Sequence, residues 1–370
     1  MTTLAGVDAA PAQTWNHLAM NDTTLGVPAV RRPTAATPTH DPGLPASVRD
    51  LECGAGKAAT AWLDEAATSR TVQEVPAGTE ARVEVDVTTR AIAAGDADAS
   101  SRVDVAQTTL LVHEGAIAHV SVVLSSVDAA DAAPATPFTC GSVMRIEAER
   151  DARVDVTYVV ALDDASQCLA SLGAHVSDGA SLDVTQHVLG AATCALGTAI
   201  DLAGDDSRAD VDTHYLVGRG HELDLGHVIR QRGQRTRAVV DASGVLADGS
   251  AKALRATLDL RHGCKGSRGR EQESVILAGD DVINRTLPVI LCDEDDVAAD
   301  HGATIGSIAP EQMVYLADRG LTPDDVAALV TESVVGLAAG RTHGHARKAV
   351  LAHARRTLGT EVAQRIEEDL

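Results

Sequence analysis

The sequence predicts a mainly β protein, a parallel β-helix with α-helical regions at both ends. Three observations carry this: a strand-like repeat of nearly constant length, cysteines spaced in step with it, and a near absence of aromatic rings. The segment Asp151-Ala-Arg-Val-Asp-Val-Thr157 recurs as Gly179-Ala-Ser-Leu-Asp-Val-Thr185 and as Asp206-Ser-Arg-Ala-Asp-Val-Asp212, at offsets of 28 and 27 residues. Each copy opens on a turn residue and then alternates apolar and polar. The alternation puts Val154 and Val156, or Leu182 and Val184, on one face of a strand. Weaker copies begin near Glu80, Ser100, Gly115 and Gly249. A period in the high twenties, without helical pattern between copies, is what one coil of a parallel β-helix requires.

Cys140, Cys168 and Cys194 lie 28 and 26 residues apart, each 11 or 12 residues before a repeat. They read as equivalent positions on successive coils, a stacked interior ladder of small hydrophobes. The chain has one Phe, two Trp and three Tyr, so its core must be filled by Val, Leu, Ile and Ala. Such a core suits thin, regularly stacked layers.

Along the chain, residues 1–75 read as an N-terminal helical region. Ala12 to Met20 predicts a short helix. Pro28, Pro33, Pro38, Pro42 and Pro45 make residues 28–45 an extended linker, and Ser47 caps a second helix running to Ala66. The β-helix occupies residues 76–306. The C-terminal domain, 307–370, is helical with clear punctuation. Pro310 opens a helix that Gly320 stops, with Met313, Val314 and Leu316 along one side. Thr322-Pro323-Asp324-Asp325 then supplies an N-cap, a proline at the first helical position and acidic residues at the positive end of the dipole. Val326, Leu329 and Val330 follow at helical spacing, Gly340 closes the segment, and His343–Leu358 and Thr360–Leu370 complete the tail.

Composition narrows the function. With 31 basic and 53 acidic residues the formal charge is −22, a surface that repels a phosphate backbone, so nucleic acid is excluded as a partner. No apolar run approaches the roughly 20 residues needed to cross a bilayer, and the first twenty residues lack the pattern of a secretory signal. The expectation is a cytoplasmic protein. Six cysteines without a C-x-x-C pair suit neither a disulfide framework nor a structural zinc site.

Several motifs invite chemistry. Cys53-Gly-Ala-Gly-Lys57 suggests a phosphate loop, but Leu51 stands where its first glycine belongs and Ala58 replaces the metal-binding hydroxyl, so a flexible surface turn is expected. His343, His345 and His353 sit among basic residues with no carboxylate at ligand spacing, which reads as a solvated helix face. Cys264 lies within Arg261-His-Gly-Cys-Lys-Gly-Ser-Arg-Gly-Arg270, positive surroundings that lower a thiol pKa, so it is a candidate reactive thiol. It is also 28 residues from Cys292, and both fit interior positions equally. His301, between Asp300 and Gly302 where strands give way to helices, is either a hydrogen-bonded structural histidine or a ligand.

The run Asp295-Asp-Val-Ala-Ala-Asp-His301-Gly-Ala-Thr-Ile-Gly306, followed by Glu311-Gln-Met-Val-Tyr-Leu-Ala-Asp-Arg-Gly320, resembles the C-terminal signature of the SufB/SufD iron–sulfur cluster assembly family. Trp15-Asn-His-Leu-Ala-Met-Asn21 is similar to the family's N-terminal entry. The resemblance implies a right-handed parallel β-helix that acts as a scaffold, holding an iron–sulfur cluster transiently and binding no nucleotide itself. It also implies pairing with a SufB-like paralogue through the β-helix, a homodimer being the other arrangement, and docking of a SufC-like ABC ATPase on the C-terminal helices, here through Met313, Leu316, Leu329 and Val330. The SufB cysteine falls where this chain reads Gln272-Glu-Ser274, so the thiol is absent, whereas the SufD motif Cys-x-His-Gly-Ala-Thr matches at His301 with Ala299 replacing its cysteine. The chain therefore resembles SufD more than SufB, with His301 the implied metal and cluster-assembly ligand and no catalytic residue of its own.

Three other readings compete: a SufB-like subunit, an inert solenoid, and a β-helix polysaccharide lyase or glycosidase. The last needs paired carboxylates and commonly an aromatic platform, for which six aromatic residues are few.

Overall fold

A computed structural model describes residues 1–12, 20–30, 44–89, 103–126 and 138–370. The expected helix at 12–20, most of the Trp15–Asn21 motif, residues 31–43 of the proline-rich stretch and the start of the Ser100 copy lie outside these.

Sixteen strands, from β3 (Ser69–Val75) to β18 (Ala298–Ser307), form the parallel solenoid. Even-numbered strands make one eight-stranded sheet and odd-numbered strands the other, so each coil contributes one strand to each. The register places Val154 of β8 (Arg153–Ala161) beside Leu182 of β10 (Ser181–Gly190), and Leu182 beside Ala209 of β12 (Arg208–Val217). These are the repeats read from sequence, and Val154, Val156, Leu182 and Val184 are buried between the two sheets. Each is worth about 1.5–3 kcal/mol relative to exposure. Cys140 of β7 (Thr139–Ala148) pairs with Cys168 of β9 (Gln167–Val176), and Cys168 with Cys194 of β11 (Thr193–Leu202), a buried ladder in the odd sheet. The weaker copies at Ser100 and Gly249 belong to that odd sheet rather than to the column of the main repeats, because β5 (Val103–Val112) and β15 (Ala251–Leu260) are odd-sheet strands.

Each main repeat opens on Asp or Gly for a backbone reason. Asp151, Gly179 and Asp206 have φ of 58°, 66° and 58°, the left-handed region where Gly and Asp are tolerated best. Their amides donate to the carbonyls of Asp178, Asp205 and Gln234 one coil further on. The corner is thus stitched by main-chain hydrogen bonds, and the coil length is held nearly constant.

The N-terminal region differs from the expected helical one. β1 (Thr2–Val7) and β2 (Thr23–Val27) form an antiparallel pair. The anticipated helix over 47–66 is two: α1 (Ala46–Arg49), with Pro45 rather than Ser47 at its N-cap, and α2 (Lys57–Ala66). The break falls at Cys53-Gly-Ala-Gly56, which is no flexible surface turn. Cys53 and Ala55 are buried, Gly54 N donates to Leu172 O at 3.1 Å, and Ala55 N donates to Ser171 Oγ at 3.1 Å. A Cβ on Gly54 would sit 2.0 Å from Thr198 N, so only glycine allows this segment to lie on the solenoid. The outer face of the odd sheet is covered in this way by Leu4, Val7, Ala55 and Leu63.

At the other end, α3 (Pro310–Ala317), α4 (Pro323–Arg341), α5 (Gly344–Thr357) and α6 (Thr360–Glu368) follow the expected punctuation, Thr322 accepting from Asp325 N at 3.2 Å. The C-terminal half of α4 with α5 and α6 covers the outer face of the even sheet, burying Val335, Val350 and Ile366 against Val159, Leu189 and Val245. His353 is therefore buried rather than part of a solvated face, and burial pushes its imidazole down to about 3. His345 faces Asp86 instead, at 2.8 Å. Among the described residues, no helix is long and apolar enough to cross a membrane.

Candidate functional site at the open end of the solenoid

The inward face of the even sheet is built of columns running along the solenoid. One column reads Val83, Val120, Val156, Val184, Val211, Val240, Glu271 and His301, each residue in register with the next. Residues in register on parallel strands share a face of the sheet, so His301 stands over Glu271. Glu271 lies on β16 (Arg268–Ala278) and is 3% exposed. His301, on β18, is exposed because no further even-sheet strand lies beyond it among the described residues. Ala299, in place of the family cysteine, packs partly against the interior, and an added Cβ on Gly302 meets nothing within 4 Å.

The interior below this rung is charged. Glu273 accepts from Tyr215 Oη at 2.9 Å and Thr286 Oγ1 at 2.5 Å, and it pairs with Lys252 Nζ, a lysine with a fully buried side chain. Burial lowers the Lys252 pKa against the pull of Glu273, and raises that of Tyr215. Glu271 has no comparable set. No side chain bonds to its carboxyl, and burial pushes its pKa up to about 8, tempered by hydrogen bonding to the main chain of Leu258 and Val289 opposite. These two glutamates were missed in the sequence, because Arg268-Gly-Arg-Glu-Gln-Glu-Ser274 has polar residues on both faces and so no alternation to reveal which side is inside.

The other candidates fall elsewhere. Cys264 is buried in the corner before β16 and burial raises its thiol pKa, which corrects the activated-thiol reading: the neighbouring positive charge does not offset desolvation. Cys292, at the end of β17 (Ile283–Cys292), is exposed, so the pair is not interior together. Leu316, Leu329 and Val330 line an apolar groove of about 620 Å³ between α3 and α4, with Tyr315 and Val326, and Met313 lies half-buried outside that lining. Leu329 and Tyr315 are 49% and 55% exposed. The stripe is therefore divided, the later helices packing on the solenoid and the α3–α4 groove facing outward.

One further cluster has the outline of a catalytic triad. Ser243 Oγ, His214 and Asp212 Oδ2 are linked at 2.8 and 3.0 Å. Arg341 at the end of α4, however, donates to both His214 Nε2 and Asp212 Oδ2, at 2.6 and 2.8 Å. That occupies the imidazole as a tether for the helix rather than leaving a base for a serine. Among the described residues, no group of three or more His, Cys, Asp or Glu side chains is placed to hold a metal ion.

Comparison with known proteins bears on the family of the chain. Residues 93–334, more than half the chain, match the family model described as SUF system FeS cluster assembly, SufBD core domain. A SufBD family iron–sulfur cluster assembly protein of Mycobacterium leprae is 26% identical over 196 residues, 52% of this chain and 22% of that protein. The iron–sulfur cluster assembly protein SufD of Bacillus subtilis is 28% identical over 131 residues, 35% of this chain and 30% of the relative. A SufBD family protein of Synechocystis is 26% identical over 129 residues, 35% and 27%. The matched stretches span less than a third of each relative's own length.

Proposed function

The chain belongs to the SufBD core family of iron–sulfur cluster assembly, and from that premise we propose that it is a SufD-like, non-catalytic scaffold subunit that presents His301 to a nascent cluster. The carrying observation is the position of His301, at the inward column of the last rung, exposed on the edge strand of the even sheet. A neutral imidazole is an established ligand of one iron in Rieske-type centres. Cluster, iron and sulfide are cargo in this reading. A SufB-like paralogue pairs against β17 and β18, which are edge strands among the described residues and so suited to extending a sheet, and supplies the thiolate. The ABC ATPase docks in the α3–α4 groove, the apolar surface left by the remaining helices.

The test is reconstitution with a SufB-like paralogue and the ABC ATPase under anaerobic conditions. His301→Ala is expected to abolish cluster formation while folding and ATPase binding persist. Normal cluster yield would remove His301 from the mechanism, and loss of folding would make it a structural cap.

A further inference from the structure

The contact between Arg341 and His214 carries one step more. Asp212 and His214 are two residues apart on β12 and so share its outer face. His187 of β10 and Ser243 of β14 (Arg237–Ala247) are in register with His214 on either side. Over this group α4 ends, at Arg341. We propose that His214, Asp212 and Arg341 form a proton-operated latch, which holds the end of α4 to the solenoid while the imidazole is neutral and loosens it when the imidazole is protonated. The latch does not depend on the function proposed above.

His214 Nε2 has two neighbours with opposite demands. Asp212 Oδ2, at 3.0 Å, accepts only, and Arg341 Nη1, at 2.6 Å, donates only. A ring nitrogen carries either a lone pair or a proton, so it serves one of them at a time. With the lone pair at Nε2, Arg341 donates both to the ring and to Asp212 Oδ2 at 2.8 Å, and the Nδ1 proton goes to Ser243 Oγ at 2.8 Å. A second proton on the ring sets two N–H donors against each other and leaves two cations to share one carboxylate. Arg341 must then give up the ring. The surrounding groups do not relieve this. Asp241, in register with Asp212, is taken by Arg270 at 2.7 Å. His187 is stacked on His214 with ring centroids 5.3 Å apart and is fully buried, its ring nitrogens without a hydrogen-bond partner among the described residues. Burial first, then His214 and Arg341, push its imidazole down to about 4. Of the imidazoles on and before α5, His343 is exposed, His345 pairs with Asp86 at 2.8 Å, and His353 is buried and held neutral. From Arg341, α4 runs unbroken back to Leu329 and Val330 in the wall of the apolar groove, so the latch sets the footing of the helix that forms it.

The experiment is amide hydrogen exchange of the full chain at pH 8 and pH 5, each rate expressed as protection relative to the unstructured peptide at the same pH. At pH 8, Arg341→Met should lower protection in the last two turns of α4 by about 10-fold or more, as expected for loss of a charge-assisted hydrogen bond. At pH 5 the same substitution should cost about threefold or less, because the guanidinium has already left the ring. His187 and His353 titrate alike in wild type and variant, so their contributions cancel in this comparison. In a His214→Gln background, whose amide oxygen accepts from Arg341 at either pH, Arg341→Met should cost the same at both. Equal losses at the two pH values in the otherwise wild-type chain would reduce the contact to an ordinary ion pair and overturn the latch, as would no loss at pH 8. A measurement that needs no variant is the nitrogen NMR spectrum of the labelled imidazoles: His214 should carry its proton on Nδ1 at pH 8, and a proton on Nε2 at that pH would also overturn the inference.

Discussion

The middle of the solenoid and its C-terminal end are built on the same coil but filled differently. In the middle, Val156, Val184 and Val211 stack between facing sheets with 1% exposure each. At the end, the corresponding interior holds Glu271, Glu273 and Lys252 under an exposed histidine. A solenoid gains stability from each coil packing on its neighbours, so the polar groups that a middle coil buries, such as Gln186, Thr198 and Thr213, are bonded to one another, whereas the last coil has a neighbour on one side only. The packing constraint relaxes at the last rung, with a closed stack behind it.

The sharpest way to break this comparison is one substitution at two sites. Val184→Asp puts a carboxylate into the closed stack and should cost more than about 4 kcal/mol, enough to prevent folding. Ala303→Asp, on the exposed last rung, should change stability by less than about 0.5 kcal/mol. Chemical denaturation of both variants decides it, and equal losses would mean that the terminal rung is packed like the rest.

The next largest effect separates Glu273 from the open rung above it. Lys252→Met leaves that carboxylate buried without its ammonium, which should cost about 3–5 kcal/mol, while joint replacement by Met and Leu should recover most of the loss. A double variant no more stable than Lys252→Met would show that Tyr215 and Thr286 rely on the pair.

A smaller, pH-dependent effect probes the closed interior. His227 is buried between the sheets and burial alone pushes its imidazole down to about 4. The unfolded residue takes up its proton near pH 6.5, the folded one only near 4, so the unfolded state binds more protons in between. Stability should therefore fall as pH drops through this window, by up to about 1.4 kcal/mol per pH unit from this group. His227→Gln should flatten that slope; His187, also pushed to about 4, and His353 will keep part of it.

How much of this was legible in sequence follows from burial. The even sheet showed itself because Arg153-Val-Asp-Val-Thr157 alternates, one face inside and one facing water over that stretch. The odd sheet did not: on β9 nearly every residue is buried, since the N-terminal segment covers its outer face, and a strand buried on both sides loses its period. The N-terminal pair of strands was invisible for the opposite reason, being short and joined across a long stretch. At the candidate site, His301 was found by resemblance, whereas Glu271 needed the register, because only the column of valines shows that its position is inside.

The last contrast lies within the tail and has the smallest effect on stability. Leu329 is 49% exposed in the α3–α4 groove, whereas Val335, further along the same helix, is fully buried on the solenoid. Leu329→Glu should thus alter stability by less than about 0.5 kcal/mol, because the side chain already meets water. If the groove receives the ABC ATPase, the same change puts a charge into a desolvated apolar interface, where truncating or charging an anchor typically costs 2 kcal/mol or more, about 30-fold in affinity. Val335→Glu should instead unfold the tail and lose the ATPase along with it. Equilibrium binding beside thermal melting of the two variants separates a docking surface from a structural one, and unchanged ATPase affinity in a well-folded Leu329→Glu chain would place the partner elsewhere.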